Sequence, residues 1–164
     1  KRPKSEIKFL FNLIIIYFKK EITNVIKNNI KINIIGQTSS LPSGIKKVLL
    51  DTIKRTKNNK NLIINLAINY GSKSEIKNAF LKIKKRRSTI SEKEISKNLF
   101  TYNIPDPDIL IRTGGQKRLS NFMLWQLAYT ELFFLKKLWP DFTPSDFMRI
   151  LHKYRKIKRN FGKI

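Results

Sequence analysis

LIINLAINYGSKSE, Leu62 to Glu75, decides how the rest of the chain is read. Leu62 to Ile68 is a short apolar run with no polar face, as expected of a strand in a parallel sheet covered by helices. Asn69-Tyr70-Gly71 closes it. Ser72-Lys-Ser-Glu75 then fits a capping box, in which a hydroxyl and a carboxylate satisfy two orphan amides reciprocally, so a helix should open at once. Strand, turn and capped helix in direct succession are the alternation of an α/β domain.

The same alternation extends in both directions. Ile7, Phe11, Ile14, Phe18, Ile22 and Val25 step by threes and fours, which predicts a helix from Pro3 to about Asn28 with Pro3 in its first turn. KINIIG, Lys31 to Gly36, reads as a strand closed by glycine, and Ile45, Val48, Leu49 and Ile53 mark the next helix. Ser91-Glu-Lys-Glu94 is a second capping-box sequence. DILIR (Asp108–Arg112) and ELFFL (Glu131–Leu135) are the third and fourth strands. The last helix opens at Thr143, with Pro144 at its first position, Asp146 near its positive end and Phe142 with Phe147 placed as a hydrophobic staple. Phe147, Ile150, Leu151, Tyr154 and Ile157 form its expected buried face. KIKKRRS, Lys82 to Ser88, reads as a solvated loop. With no repeat and no long linker, residues 1–164 are expected to be one α/β domain with a mostly parallel sheet.

At 164 residues and 41% hydrophobic, the chain can build a real core. It has no cysteine, so disulfides and thiolate metal sites are excluded, which suits a reducing cytosol. Phe9 to Phe18 is its longest apolar run, well short of the roughly 20 residues a membrane helix needs, and no small-residue cleavage site follows it. The formal charge is +24. Lysines are scattered over every segment beside abundant isoleucine and asparagine, a compositional drift rather than a clustered nucleic-acid footprint. No nucleic-acid partner is therefore expected.

Ligands of open parallel sheets bind beyond the carboxyl ends of the strands, and DILIRTGGQKRLSNF (Asp108–Phe122) falls there. A diphosphate is a compact polyanion, best held by planar guanidiniums that bond two oxygens at once. Glycines let backbone amides approach it, and a following helix start adds donors. Arg112, Gly114, Gly115, Arg118 and Ser120 supply those elements. The spacing is not that of a P-loop, because no Gly-Lys-Ser/Thr is present. From the residues alone a second reading stays open, in which the arginines pair with Asp106, Asp108 or helix-end carbonyls.

The run PDPDILIRTGGQKRLSNFMLWQLAYTELFFLKKLWPDF, Pro105 to Phe142, resembles the carboxyl-terminal signature of the cis-prenyltransferases, the undecaprenyl diphosphate synthase family. KRP before the first helix, IIG closing a strand and NYG after LIINLAI agree in order. The resemblance implies the cis-prenyltransferase fold, with about four of its six strands in this chain. It implies an enzyme that adds isopentenyl diphosphate units to an allylic diphosphate such as farnesyl diphosphate, forming cis double bonds with Mg²⁺ and leading to undecaprenyl diphosphate, precursor of the cell-wall carrier lipid. Arg2, Arg112, Arg118, Leu119 and Ser120 would bind substrate, and Glu131 would serve the metal. A homodimer, a cytoplasmic location and a transient membrane contact on product release are implied as well. The family's catalytic aspartate motif would lie upstream of Lys1, so this segment is expected to be the carboxyl-terminal two-thirds of a longer enzyme and inactive alone.

Some positions depart from the family pattern. Gln116 replaces a glutamate, and Lys117 stands where some members have histidine; a lysine cannot help bind magnesium. Gly71-Ser72-Lys73 keeps only the first glycine of Gly-Gly-Arg. Ile7, Leu10, Phe11, Ile14 and Ile15 could line a product tunnel or simply pack in the core. Trp125, Tyr129, Phe133, Phe134 and Trp139 are expected in core or subunit interface. A non-catalytic partner subunit and, further off, a basic nucleic-acid-binding domain are the alternative functions.

Overall fold

The computed structural model describes residues 3–160. The chain divides into two compact units that meet in sequence between Tyr70 and Gly71. The first contains α1 (Lys4–Lys27), β1 (Ile30–Ile35), a 3-10 turn at Thr38–Ser40, α2 (Ser43–Thr56) and β2 (Leu62–Ala67). β1 and β2 pair in parallel from Ile30↔Leu62 to Ile35↔Ala67, and the connection between them carries α2. Pro3 sits just outside α1 as its N-cap, one residue earlier than its spacing suggested, and its carbonyl accepts from the Ile7 amide at 3.2 Å.

Leu41, Ile45 and Leu49 form the centre of this unit, with Phe11, Ile14, Ile15 and Phe18 of α1 packed against them together with Ile34 and Ile68. Each fully buried side chain of this size contributes about 1.5–3 kcal/mol. Ordinary core packing thus accounts for Phe11, Ile14 and Ile15, while Ile7 is exposed. A groove of about 490 Å³ does lie between α1 and α2. Of the five residues considered for a tunnel, only Ile15 lines it.

Two further features fix the strand pair. At the rung Asn33↔Asn65 the side-chain amides bond directly, Asn33 Nδ2 donating to Asn65 Oδ1 at 2.9 Å. Gly36, at φ 121°, lies where a Cβ would come within 2.2 Å of the Ile68 carbonyl oxygen, so no larger residue fits. The expectation that Leu62 to Ile68 is buried on both faces is corrected. Leu62 and Ile63 are each 53% exposed, because β1 is the only hydrogen-bonded neighbour of β2 among the described residues.

The second unit contains α3 (Ser72–Lys85), α4 (Glu92–Asn98), β3 (Ile109–Arg112), β4 (Glu131–Phe134), a 3-10 turn at Trp139–Asp141 and α5 (Pro144–Tyr154). β3 and β4 also pair in parallel, from Ile109↔Glu131 to Arg112↔Phe134. Ala79, Ile83, Ile95 and Leu99 form its core, with Ile76 and Trp125 packed against them. Lys82–Lys85, expected in a loop, are the last turn of α3, and Ile83 among them is 1% exposed. Helix continues there because Ala79 and Ile83 share one buried face. At α4 only half of the expected box forms. Ser91 Oγ accepts from the Glu94 amide at 3.2 Å, while the Glu94 carboxylate turns to Lys97 Nζ at 2.6 Å.

α5 starts as its sequence demands. Thr143 Oγ1 accepts from the Asp146 amide, and Asp146 Oδ2 accepts from the Thr143 amide at 3.0 Å. The staple is not seen: Phe147 is 43% exposed, and Phe142 instead stacks on Trp139 with ring centroids 5.7 Å apart. Ile157, past the end of the helix, is also exposed, whereas Ile150 is buried. The buried Asp146 carboxylate also pairs with Lys137 (2.8 Å) and Arg149. The Lys137 ammonium, then the Thr143 amide and hydroxyl, then Arg149 hold it well below the usual carboxylate range. A carboxylate depressed in the folded state stabilises above its unfolded value and loses that contribution as pH falls through the folded one. Asp146→Asn should therefore be less stable than the parent by a constant margin above about pH 4, the ordinary aspartate range. The margin should shrink as pH falls further, which urea titrations at a series of pH values would measure.

Candidate functional site

β3 delivers Arg112 to its carboxyl end, and the chain then turns on Gly114 and Gly115, at φ 86° and 75°. These left-handed values are why glycine stands at both positions. The two amides are not offered to a ligand, contrary to the expectation from sequence. Gly114 N–H donates to the Lys137 carbonyl at 2.7 Å and Gly115 N–H to the Leu135 carbonyl at 2.8 Å, so the turn is tied to the chain just beyond β4. No helix follows it either. Residues 113–130 form turns, with Ser120, Asn121 and Met123 at φ 50°, 64° and 45°. The two glycine amides are therefore not free to cradle an anion.

The side chains of this segment converge. Arg112 donates through one terminal nitrogen to the Arg118 carbonyl and to Ser120 Oγ, the latter at 3.0 Å. Arg118 donates to Gln116 Oε1 at 2.7 Å. Neither arginine pairs with Asp106 or Asp108; Asp108 is held by Arg159. A guanidinium carries five N–H donors, and among the described residues the remaining ones of Arg112 and Arg118 have no protein partner. Arg118 and Ser120 are exposed, while Arg112 and Leu119 are half-buried. From Arg112 to Thr130 the sequence has no acidic residue, and Lys117 adds a third cation. Unspent guanidinium donors, a hydroxyl and an uncompensated positive field are what a bidentate polyanion site requires.

The loop behind these groups is anchored on α3, and the anchor replaces the capping box expected at Ser72 and Glu75. The N-cap of α3 is Gly71, and Ser72 is already helical. Asn121, far along the chain, supplies the cap. Its carbonyl accepts from the Ser72 amide at 2.9 Å and its Oδ1 from the Lys73 amide at 2.8 Å. Ser72 Oγ in turn accepts from the Leu124 amide at 2.9 Å. Glu75 is 2% exposed and accepts from the Phe100 amide (2.7 Å) and Gln126 Nε2 (3.3 Å). Sequence reading gave no role to Asn121 or Gln126. The one available signal was an asparagine after a serine in a loop, since asparagine tolerates left-handed φ. In the first unit Asn69, at φ 50°, braces the turn after β1: its Nδ2 donates to the Gln37 carbonyl (2.9 Å) and Ser40 Oγ (3.0 Å).

Glu131 is not brought to the arginine cluster. It opens β4 opposite Ile109, three rungs from Arg112, which is about 10 Å along the strands. An odd number of rungs also puts it on the opposite face of the pleat. Among the described residues no group of three or more His, Asp or Glu side chains could hold a metal ion. Mg²⁺ usually takes one or two carboxylates together with phosphate oxygens and waters. Glu131 fits that chemistry as a single hard-oxygen donor, at the opposite end of the strand pair from Arg112. Arg2 lies outside the described residues.

A family model described as "Putative undecaprenyl diphosphate synthase" matches residues 1–162. The chain belongs to this family of prenyltransferases. Isoprenyl transferase from Rickettsia bellii is 44% identical over 163 residues, covering 99% of this chain and 72% of the relative. The Geobacter sulfurreducens isoprenyl transferase is 41% identical, covering 99% and 69%. Among solved structures, a "probable undecaprenyl diphosphate synthase" from Campylobacter jejuni superposes with a TM-score of 0.90 at 35% identity, covering 99% of this chain and 77% of that one. Lavandulyl diphosphate synthase from Lavandula x intermedia, solved with dimethylallyl diphosphate, gives 0.92 at 33% identity, covering 99% and 74%. The α/β architecture with parallel strands is the cis-prenyltransferase fold. The loop anchor should be energetically visible in this family member. Glu75→Ala removes the acceptor of the Phe100 amide and one of the two acceptors of Gln126 Nε2, which keeps Thr101 Oγ1, and should cost about 1–3 kcal/mol in chemical denaturation.

Proposed function

We propose that this prenyltransferase condenses isopentenyl diphosphate with an allylic diphosphate, such as farnesyl diphosphate, extending the chain with cis double bonds toward undecaprenyl diphosphate. The observation that carries the reading is the pair of guanidiniums at the β3 end with N–H groups unspent, converging on Ser120. In this reading Arg112 and Arg118 take the diphosphate of the isopentenyl unit, Ser120 donates its hydroxyl, and half-buried Leu119 covers the adjoining chain. Arg2 is assigned to substrate binding on its sequence match alone. The reaction forms a carbon–carbon bond, breaks the allylic carbon–oxygen bond and releases diphosphate, and the isopentenyl unit gives up a proton, to the departing diphosphate or water, to set the new double bond. A clamp that holds one diphosphate still while the other leaves contributes orientation, the entropic part of catalysis.

Mg²⁺ would neutralise the departing diphosphate, and Glu131 is the one matched carboxylate this chain offers it. Glu131 and the clamp occupy different ends and faces of the strand pair. The expected aspartate motif is absent from these residues, so the segment alone is proposed to be inactive. Exposed Tyr129, Leu132, Leu138, Trp139, Phe147 and Met148 in the second unit supply apolar surface suited to a homodimer contact. Among the described residues no helix is long and apolar enough to cross a membrane, so contact with a bilayer on product release would be peripheral.

The test uses the full gene product with farnesyl diphosphate, radiolabelled isopentenyl diphosphate and Mg²⁺, with and without chelator. A chelator-sensitive ladder of polyprenyl diphosphates is expected. No ladder from a well-folded protein would move the assignment to a non-catalytic partner subunit. Arg112→Ala and Arg118→Ala should each raise KM for isopentenyl diphosphate at least about tenfold, as loss of a charge-assisted contact implies, with little change in Tm. Glu131→Gln should instead raise the Mg²⁺ concentration needed for half-maximal rate.

A further inference from the structure

Ser120, the hydroxyl of the clamp, lies in a backbone that is costly to hold. Of the four residues Ser120 to Met123, three have positive φ and none is glycine. Left-handed conformations of this kind persist only where surrounding structure over-determines them. Here the surrounding structure is the first turn of α3, and the residue that reaches it is Asn121. Three bonds lock the two together: Ser72 amide to Asn121 carbonyl, Lys73 amide to Asn121 Oδ1, and Leu124 amide to Ser72 Oγ. Gly71 makes room for the arrangement. A Cβ there would meet Asn121 Nδ2 at 3.0 Å, so the absence of a side chain at the helix's own N-cap admits a cap from far along the chain, 48 residues beyond the Lys73 amide it accepts from.

We propose that Asn121 is a positioning residue for the diphosphate clamp: by capping α3 it fixes the left-handed turn that aims the Ser120 hydroxyl at Arg112. This rests on the reading of Arg112, Arg118 and Ser120 as a substrate clamp. A helix cap with no such role would matter to the stability of α3 alone. Asn121 differs because the residue before it bonds Arg112 directly, at 3.0 Å, and because its own φ and side chain are both needed to set that residue's direction. It acts through Ser120 and is not assigned any contact with substrate.

The test is a double-mutant cycle in the full gene product, reading KM for isopentenyl diphosphate, kcat and Tm for Ser120→Ala, Asn121→Gly and both together. Asn121→Gly keeps positive φ accessible and the carbonyl bond to the Ser72 amide, and deletes only the Oδ1 half of the cap, which limits the loss of folding stability; Asn121→Ser serves as a second variant if the glycine protein folds poorly. Asn121→Gly should raise KM about fivefold to tenfold with kcat within about threefold, the pattern of lost uniform binding. In the Ser120→Ala background the same change should add less than about twofold, because residues acting as one unit are not additive. A KM unchanged by Asn121→Gly, or effects that multiply fully in the double variant, would overturn the inference. If Ser120→Ala itself leaves KM unaltered, the clamp reading fails instead.

Discussion

The grip of the first turn of α3 on residues 121–126 is the constraint on which the second unit depends. A helix start leaves amide donors that need acceptors, and a long helix-free connection between two parallel strands leaves a backbone that needs fixing. In this chain each need answers the other. Asn121 accepts from the amides of Ser72 and Lys73, while Ser72 and Glu75 accept from Leu124 and Gln126. Because Glu75 is buried and also bonded to the Phe100 amide, the same turn ties in the segment that follows α4. The arginine at the end of β3 then meets a hydroxyl whose position is set from behind rather than by the loop itself.

That arrangement changes how the glycines are understood. A Gly-Gly pair beside two arginines suggests amides cradling phosphate, yet both amides are spent on carbonyls just past β4. The glycines shape the turn, and the charge is carried by guanidiniums. Side-chain recognition of this kind tolerates small shifts of backbone better than an amide cradle, but it requires the side chains to be aimed. The aiming is done by left-handed Ser120 and Asn121 and by the Arg112 bond to the Arg118 carbonyl.

Element type was legible in the sequence wherever burial followed a clean period. All four strands and both ends of α1 fall within a residue or two of where alternation and caps put them, α3 runs four residues past its expected end, and Thr143-Pro144 opens α5 as expected. What could not be read were partners supplied from elsewhere in the chain. Ser72 and Glu75 have the spacing of a local box, but Asn121 outcompetes the local hydroxyl, and Glu75 is drawn into the core by Phe100 and Gln126. Phe147 has the spacing of a staple, but Trp139 takes Phe142. The site was legible as a set of residue types at one strand end. Its separation from Glu131 was not, because that depends on the register of β3 against β4.

The Asn33–Asn65 pair illustrates what a composition rich in asparagine can still encode. Hydrophobic alternation forbids a one-residue slip between β1 and β2, since it would turn every side chain to the wrong face. A two-residue slip escapes that rule, because it preserves the faces and leaves isoleucines and leucines interchangeable across the pair. Within the strands the amide rung distinguishes the true alignment: shifted by two, Asn33 would meet Ile63 or Ala67, and both amides would be left half-buried without each other. A polar pair that contributes little to the strength of the core therefore proofreads the assembly of the strand pair from its middle, alongside Gly36 at one end and the Asn29–Asn61 bonds at the other.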